Sequence, residues 1–554
     1  MKKLEPKLFS VMKQYTKEQF FKDVIAGIIV AIIALPLSIA LAIASGVGPE
    51  RGIYTAIVAG FVVSFLGGSR VQIAGPTAAF ATIVAGIVAR NGMEGLAIAT
   101  LMAGIILVIM GLLQFGSLLR YIPRTITTGF TAGIAVTIAI GQFKDFLGLT
   151  FHSTPVQTTE KLRACVESAG SLNWRAALVG FICLAILILW PKVSNKIPGS
   201  LIAVLASGVM IQVFDMEVNT IGSLYDISSQ LPTFSLPALS LSSIGSLLPD
   251  AITIAILAGV ESLLSCVVSD GMIGSRHRSN MELVAQGAGN VASALFGGIP
   301  ATGAIARTAA NVKNGGRTPI AGMVHSLVLL LVLVVLMPYA ALIPMPAIAA
   351  ILFVVAYNMS EWREVVHMVK TAPKSDISVL LVTFSLTVIF NLVIAIEVGV
   401  VMAALLFMKR MADETRIEGW KYADEEHEET ENDEDAIALK AVPKHTTVYE
   451  INGPLFFAAA EQFMTISTEP KLSTIILRMR SVPAMDITAL ESLQKVRDRC
   501  VKNNITLILS HVQPQPMEMM QKAGFHDAIG SDNFCPNIDI ALERAASVLA
   551  GNRR

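Results

Sequence analysis

The chain has 554 residues, of which 53% are hydrophobic and 15% charged, with 42 basic and 42 acidic side chains and a mean hydropathy of +0.63. That balance excludes an ordinary soluble protein of this size and places the chain among integral membrane proteins. The zero net charge conceals a division, because nearly all charge falls in residues 1–22, in short loops and after Lys409.

Residues 1–22 form a basic segment carrying Lys2, Lys3, Lys7, Lys13, Lys17 and Lys22. The apolar stretch that follows lacks a small-residue cleavage site and reads as a retained span, not a signal peptide. Residues 23–411 are expected to form the transmembrane domain. Stretches of spanning length, about 20 residues for a roughly 30 Å core, are predicted at 24–45, 52–67, 75–89, 95–114, 125–147, 173–190, 199–214, 250–268, 281–296, 303–312, 319–337, 346–357, 376–391 and 393–408. Two of these fourteen, 75–89 and 303–312, are short half-spans.

Loop charge supports the count. Alternate loops carry Arg70, Arg120 and Arg124, Lys192 and Lys196, Arg276 and Arg278, Lys313 and Arg317, then Arg363, Lys370 and Lys374. The opposite connections at 215–249 and 338–345 hold no Lys or Arg. Arg51, Arg90, Lys161 and Arg163 lie on that poorer side, each near Glu50, Glu94, Glu160 or Glu167. The bias predicts fourteen spans with both termini cytoplasmic in the cell inner (plasma) membrane.

Two breaks interrupt the apolar pattern, Ala74-Gly75-Pro76-Thr77 and Gly297-Gly298-Ile299-Pro300-Ala301-Thr302-Gly303. Non-helical backbone at membrane depth is tolerated only where protein or a watery cavity surrounds it. Matching Gly/Pro interruptions in two halves of a membrane domain point to a transporter binding site. A helix that begins there exposes its first N–H groups and the positive end of its dipole. Two such starts facing one another make an anion site without a charged side chain.

The expected substrate-binding set is Gly75, Thr77, Ala78, Thr302, Gly303, Ala304, Ala306 and Arg307. Thr77 and Thr302 stand at the starts, able to cap the backbone or to donate to a ligand. Arg307 lies one turn into the second half-helix, where a cation is costly and marks function. Glu261, within Ile256–Leu264 of the eighth span, is a coupling acid. It is able to carry a proton, to pair with Arg307, or to ligate Na⁺ with hydroxyls such as that of Thr302.

The five cysteines show no metal or redox spacing. Gly297-Gly298 is no phosphate loop, since no Gly-Lys-Ser/Thr follows. No cofactor, no nucleic-acid partner and no enzymatic activity is expected.

Past Lys409-Arg410, residues 412–439 read as an acidic linker holding Asp424-Glu425-Glu426-His427-Glu428-Glu429 and Glu431–Asp435. Residues 440–554 are expected to form a small α/β domain. Its strands are predicted at Thr446–Ile451, Thr474–Leu477 and Ile505–Ser510. Its helices are predicted at Leu455–Ser467, Thr488–Val501, Pro514–Ala523 and Ile538–Leu549.

The chain resembles the SulP (solute carrier 26) anion transporters over nearly its full length. The resemblance rests on Pro49-Glu50-Arg51-Gly52-Ile53-Tyr54-Thr55-Ala56, on Gln72-Ile73-Ala74-Gly75-Pro76-Thr77-Ala78-Ala79, and on the Arg307 run Ala304–Asn311. Arg51 stands where the family often has an aromatic residue, and Ala306 where some animal members have serine. Tyr357–Glu361 and Ala372–Asp376 look closest to a bacterial branch that includes C4-dicarboxylate carriers.

The resemblance implies an all-α membrane protein of two inverted seven-span repeats, arranged as core and gate domains, plus a cytoplasmic STAS domain. It implies a secondary active carrier for sulfate, bicarbonate or C4-dicarboxylate, coupled to H⁺ or Na⁺ and moving by elevator-like or rocking access. It also implies a homodimer surrounded by membrane lipid, with a STAS domain that binds a cytosolic regulator such as acyl carrier protein. An anion channel or exchanger is the alternative within the family, and a nucleobase carrier of the same fold a further one. Arg478–Thr488 matches the strand–loop–helix of STAS domains. Asp486 and Thr488 are the regulatory candidates there: Thr488 stands where antagonist proteins carry a phosphorylatable hydroxyl, or else caps its helix after Asp486.

Overall fold

A computed structural model describes residues 4–116, 123–151, 155, 157–193, 198–238, 240–390, 392–420, 440–457, 466, 468 and 471–551. The chain divides into two compact units, residues 1–401 and 402–554.

The first unit is helical. A short α1 (Lys7–Met12) precedes α2 (Lys17–Ala44), which Thr16 caps by accepting from Gln19 N, and α3 (Pro49–Leu66), which a proline opens. The two-residue strand β1 (Ala74–Gly75) leads to a single 3₁₀ turn, Ala78–Phe80, that runs into α4 (Ala81–Leu112). α4 is two helices joined at Gly92, whose φ of 66° and ψ of −170° suit only glycine. This kink is the gap expected between 75–89 and 95–114.

Next come α5 (Arg124–Leu147), α6 (Thr158–Glu167), α7 (Trp174–Val193), α8 (Gly199–Val213), α9 (Ile221–Leu224), α10 (Leu241–Ile273) and α11 (Ser279–Leu295). The second two-residue strand, β2 (Thr302–Gly303), opens α12 (Ile305–Lys313). Then follow α13 (Ile320–Ala340), α14 (Met345–Met359), α15 (Trp362–Thr371), α16 (Lys374–Ile389) and α17 (Leu392–Glu414). Each predicted span coincides with a helix, although α2 and α10 start well before the expected 24 and 250, while α1, α6, α9 and α15 are additional. Among the described residues, seven helices are long and apolar enough to cross a membrane: α2, α4, α5, α7, α10, α13 and the stretch through α14 and α15.

The helices pack in two groups. α2, α3, α4, α10, α11, α12 and α13 pack on one another, and α5, α7, α8, α14, α15 and α16 form the second group. α2 and α4 supply most of the contact between the groups. The tightest crossing, α4 against α11, brings backbone onto backbone: a Cβ on Gly104 would lie 2.7 Å from the Gly287 carbonyl. Small residues permit such an approach where water does not drive helices together.

The second unit holds a five-stranded sheet in the order β3 (Arg416–Trp420), β4 (Thr446–Asn452), β5 (Thr474–Ser481), β6 (Thr506–Ser510), β7 (Phe534–Cys535). β3 is antiparallel to β4, and all later pairings are parallel. α18 (Ile487–Lys502), α19 (Pro514–Lys522) and α20 (Phe525–Ile529) cover the face made by Ile475, Leu477 and Met479. α21 (Ile538–Gly551) covers Val448, Ile476 and Ile508 on the other face.

Alternation along each strand sends one set of side chains to each helical layer. The first part of the expected linker is corrected here, since Arg416–Trp420 pairs as an edge strand. The acidic run and most of the helix predicted at Leu455–Ser467 lie outside the described residues. Thr488 does not cap its helix either. Asp486 does, accepting from Ala489 N at 2.9 Å and also from Phe457 N at 2.8 Å, while Thr488 is exposed one position inside. Asp486→Ala is therefore expected to cost the second unit about 1–2 kcal/mol. Hydrogen exchange across residues 487–502 of the full chain would show it, and unchanged protection would refute the assignment of the cap.

Candidate functional site

The two breaks meet. β1 and β2 pair antiparallel, with Ala74 opposite Gly303 and Gly75 opposite Thr302. Ala304 N donates to Ile73 O at 2.9 Å beside them. The 3₁₀ turn at Ala78 and helix α12 thus start from one small sheet, and their first N–H groups have no acceptor within their own helices.

Every polar backbone group at this depth needs a partner, and side chains supply them. Across the second break Asn290 accepts from Ala301 N (2.8 Å) and donates to Ala301 O (2.9 Å). Ile299 N donates to Thr55 Oγ1 at 2.7 Å, and Ser293 Oγ donates to Ile299 O at 2.7 Å. Arg51 Nη1 donates to Gly297 O at 2.8 Å. On the approach to the first break, the buried Glu282 accepts from Gly68 N (2.9 Å) and Ser69 N (3.1 Å). Asn311 Nδ2 donates to Val71 O at 2.9 Å, and Ile73 N donates to Thr308 Oγ1 at 3.0 Å.

α10 closes the site from the side. Thr302 Oγ1 donates to Ala258 O at 3.0 Å, which leaves Ser262 Oγ as donor in the 2.7 Å bond between the two hydroxyls. Ser262 Oγ also accepts from Gly303 N at 3.0 Å. Gln72 Nε2 donates to Ser262 O at 3.1 Å. Gly303 is obligatory, because a Cβ there would fall on the Gln72 amide.

Of the predicted residues, Thr77 and Glu261 come together: Thr77 Oγ1 donates to Glu261 Oε2 at 3.1 Å. Thr77 adopts the N-cap backbone conformation, but its hydroxyl does not cap. Thr302 lies in β2, and its hydroxyl is already engaged by α10. Thr77 and Glu261 are half-buried, and Ala306 is exposed, so these three give the site its open side. Gly75, Ala78, Thr302, Gly303 and Ala304 lie behind them, buried.

Arg307 is only 3% exposed, and its Nη1 has no hydrogen-bond partner. The guanidinium lies against Gly75, where a Cβ would come within 2.5 Å of Nη1. Among the described residues no ion pair links Arg307 to Glu261. The site therefore offers two sets of N–H groups with no acceptor in their own helices, a buried cation without a counter-ion among the described residues, and one half-exposed carboxylate. It can hold a small anion.

The sequence reading missed Gln72, Ser262, Thr308 and His325. His325 of α13 is fully buried with neither ring nitrogen hydrogen-bonded, within electrostatic reach of Arg307. A lone polar residue in an apolar span is the signal that marks it.

Comparison with known proteins follows the same lines. The family profile described as "Sulfate permease family" matches residues 20–383, and the "STAS domain" profile matches residues 437–541. YvdB of Bacillus subtilis, named for sulfate transport, is 43% identical over 532 residues, covering 95% of this chain and 98% of its own. The bicarbonate transporter BicA of a Picosynechococcus species is 28% identical over 548 residues, covering 94% of both chains. The transmembrane domain of a cyanobacterial BicA superposes with a TM-score of 0.63 at 29% identity, over 69% of this chain and 98% of that one. Murine solute carrier 26 family member A9, an anion transporter in the inward-facing state, gives a TM-score of 0.87 at 19% identity, over 98% of this chain and 94% of that one.

Gly75→Ala tests the placement of Arg307. The atom that must yield is the end of a long side chain, so the variant is expected to unfold at close to the parent temperature in detergent. The displaced guanidinium should weaken binding of a small anion several-fold, as read by calorimetry, a cost of about 1 kcal/mol. Unchanged binding would remove Arg307 from this position.

Proposed function

The chain belongs to the sulfate permease family, and from that premise we propose that it is a secondary active carrier of a small oxyanion of the sulfate or bicarbonate class. One observation carries the reading: two helix starts meet across a two-residue antiparallel pair, with a buried arginine that lacks a counter-ion behind them. The names of YvdB and BicA supply the substrate class. C4-dicarboxylate stays in the competition series because of the resemblance in Tyr357–Glu361 and Ala372–Asp376.

The anion docks against the N–H groups at Ala78 and at Ile305–Ala306, between Thr77 and Ala306. Arg307 makes the local potential positive without touching water, where its charge acts at low dielectric. Glu261 explains coupling. An anion beside a bare carboxylate is repelled, so productive loading requires Glu261 to carry a proton or a Na⁺ that Thr77 helps to hold.

The group containing α3, α10 and α12 carries the whole site and moves against the group containing α5, α7 and α14, giving access to each side in turn. Fourteen traverses, in two inverted halves, leave both termini cytoplasmic in the cell membrane. The membrane domain runs over 23–411, with 1–22 before it, and the STAS domain at 440–554 is extended by the edge strand Arg416–Trp420. The functional unit is a homodimer whose STAS domain receives a cytosolic regulator, for which acyl carrier protein is one candidate.

Uptake of labelled sulfate and bicarbonate into proteoliposomes tests this directly. Arg307→Ala is expected to lower uptake roughly 100-fold, the cost of deleting a buried charge from its recognition site. Glu261→Gln should still bind anion but no longer respond to an imposed proton or Na⁺ gradient. Normal gradient-driven uptake in both variants would sink the assignments.

A further inference from the structure

Between the apolar α14 and α16 the chain turns through Glu361, held at φ +42°, into the ten-residue helix α15. Helical spacing places Trp362, Val365, Val366 and Val369 on one face, and Arg363, Glu364, His367, Lys370 and Thr371 on the other. No residue of α15 is buried. Trp362, Val366 and Val369 are 47%, 41% and 42% exposed, so their apolar face finds no cover among the described residues. The helix joins two membrane-depth helices, and the apolar medium beside it is the bilayer.

A surface hollow of about 460 Å³ opens at the start of α15, lined by Arg124, Tyr357, Glu361, Trp362, Arg363 and Glu364 among others. Trp362 Nε1 donates to Tyr357 Oη at 3.1 Å, an aromatic pair of the kind that sits at headgroup level. Arg124 is paired with Glu364 at 3.3 Å yet 73% exposed at its side chain. Arg363 lies over the Trp362 ring at 5.5 Å and has no carboxylate partner among the described residues. Glu361 and Glu364 line the hollow with the two arginines, and Arg124 is held by Glu364, so Arg363 is the cation with no carboxylate of its own among the described residues. An amphipathic helix with an aromatic pair beside that arginine suits a phospholipid: acyl chains along Trp362, Val366 and Val369, phosphate toward Arg363 with Arg124 beside it.

We propose that α15 and this hollow form an anionic-phospholipid site at the membrane surface, anchoring the helix group that does not carry the transport site. The proposal rests on the reading of residues 23–411 as membrane-spanning. The full chain would be reconstituted in nanodiscs holding phosphatidylcholine and phosphatidylglycerol of identical chains, and its retained lipids weighed by native mass spectrometry.

The parent is expected to retain phosphatidylglycerol in preference. Arg124→Gln and Arg363→Gln should each lower that retention about fivefold, and Arg363→Lys should keep most of it. Trp362→Ala combined with Val366→Ser and Val369→Ser should lower retention of both lipids. Equal retention of the two lipids by the parent, or full retention in the Arg124→Gln/Arg363→Gln double variant, overturns the site. Anion uptake measured on the same preparations separates the two readings: uptake that persists without lipid selectivity removes this site alone, whereas failure to insert at all removes the membrane reading beneath it.

Discussion

Backbone that leaves the helix at membrane depth must find its hydrogen bonds within the protein, and most of this site follows from that constraint. The two breaks solve it partly with each other, through the pairing of Ala74–Gly75 with Thr302–Gly303. Side chains complete the solution: Asn290 holds both polar groups of Ala301, Thr55 and Ser293 hold Ile299, and Thr308 and Asn311 hold the first break. These partners hold the two half-helix starts beside one another. The anion site proposed above is built on the N–H groups of those starts, which have no acceptor within their own helices.

The same accounting explains the unusual charge. Carboxylates near the breaks are committed elsewhere: Glu282 is spent on Gly68 N and Ser69 N, and Glu261 takes Thr77. Arg307 is thus left buried against Gly75 without an acid of its own. A buried cation of this kind is unfavourable alone and more favourable beside an anion, which is why the proposed reading assigns Arg307 to the substrate. The departure at Arg51 belongs to the same network, since its guanidinium holds Gly297 O and ties the first signature segment to the second break.

The membrane helices were legible because the bilayer fixes their length and Gly and Pro mark where they stop. Thr77, Glu261 and Arg307 stood out as polar residues where polarity is costly. What the pattern did not carry was pairing across space. Nothing in sequence joins Thr77 to Glu261, 184 positions apart, or sets Gln72 and Ser262 behind Thr302 and Gly303. Arg416–Trp420 was hidden for another reason: an acidic run follows it, and composition outweighed a five-residue strand whose hydrogen bonds come from β4. α15 was passed over because ten amphipathic residues between two longer apolar helices look like a loop with charges.

The division of the helices bears on the movement proposed for the molecule. Among the described residues, side-chain hydrogen bonds within a group include Gln72 to Ser262, Ser265 to Thr308 and Ser326 to Ala56 on one side, and Cys183 to Ala203 on the other. Arg124 and Glu364 likewise pair inside the second group. Contact between the groups runs mainly through α2 and α4. Among the described residues, displacing one group against the other separates none of these hydrogen bonds, whereas bending the first group would break those that hold the two breaks. On the proposed reading, rigid displacement of the group that carries Arg307 and Glu261 against the other group is the low-cost path, because it leaves the pairing of the two breaks intact.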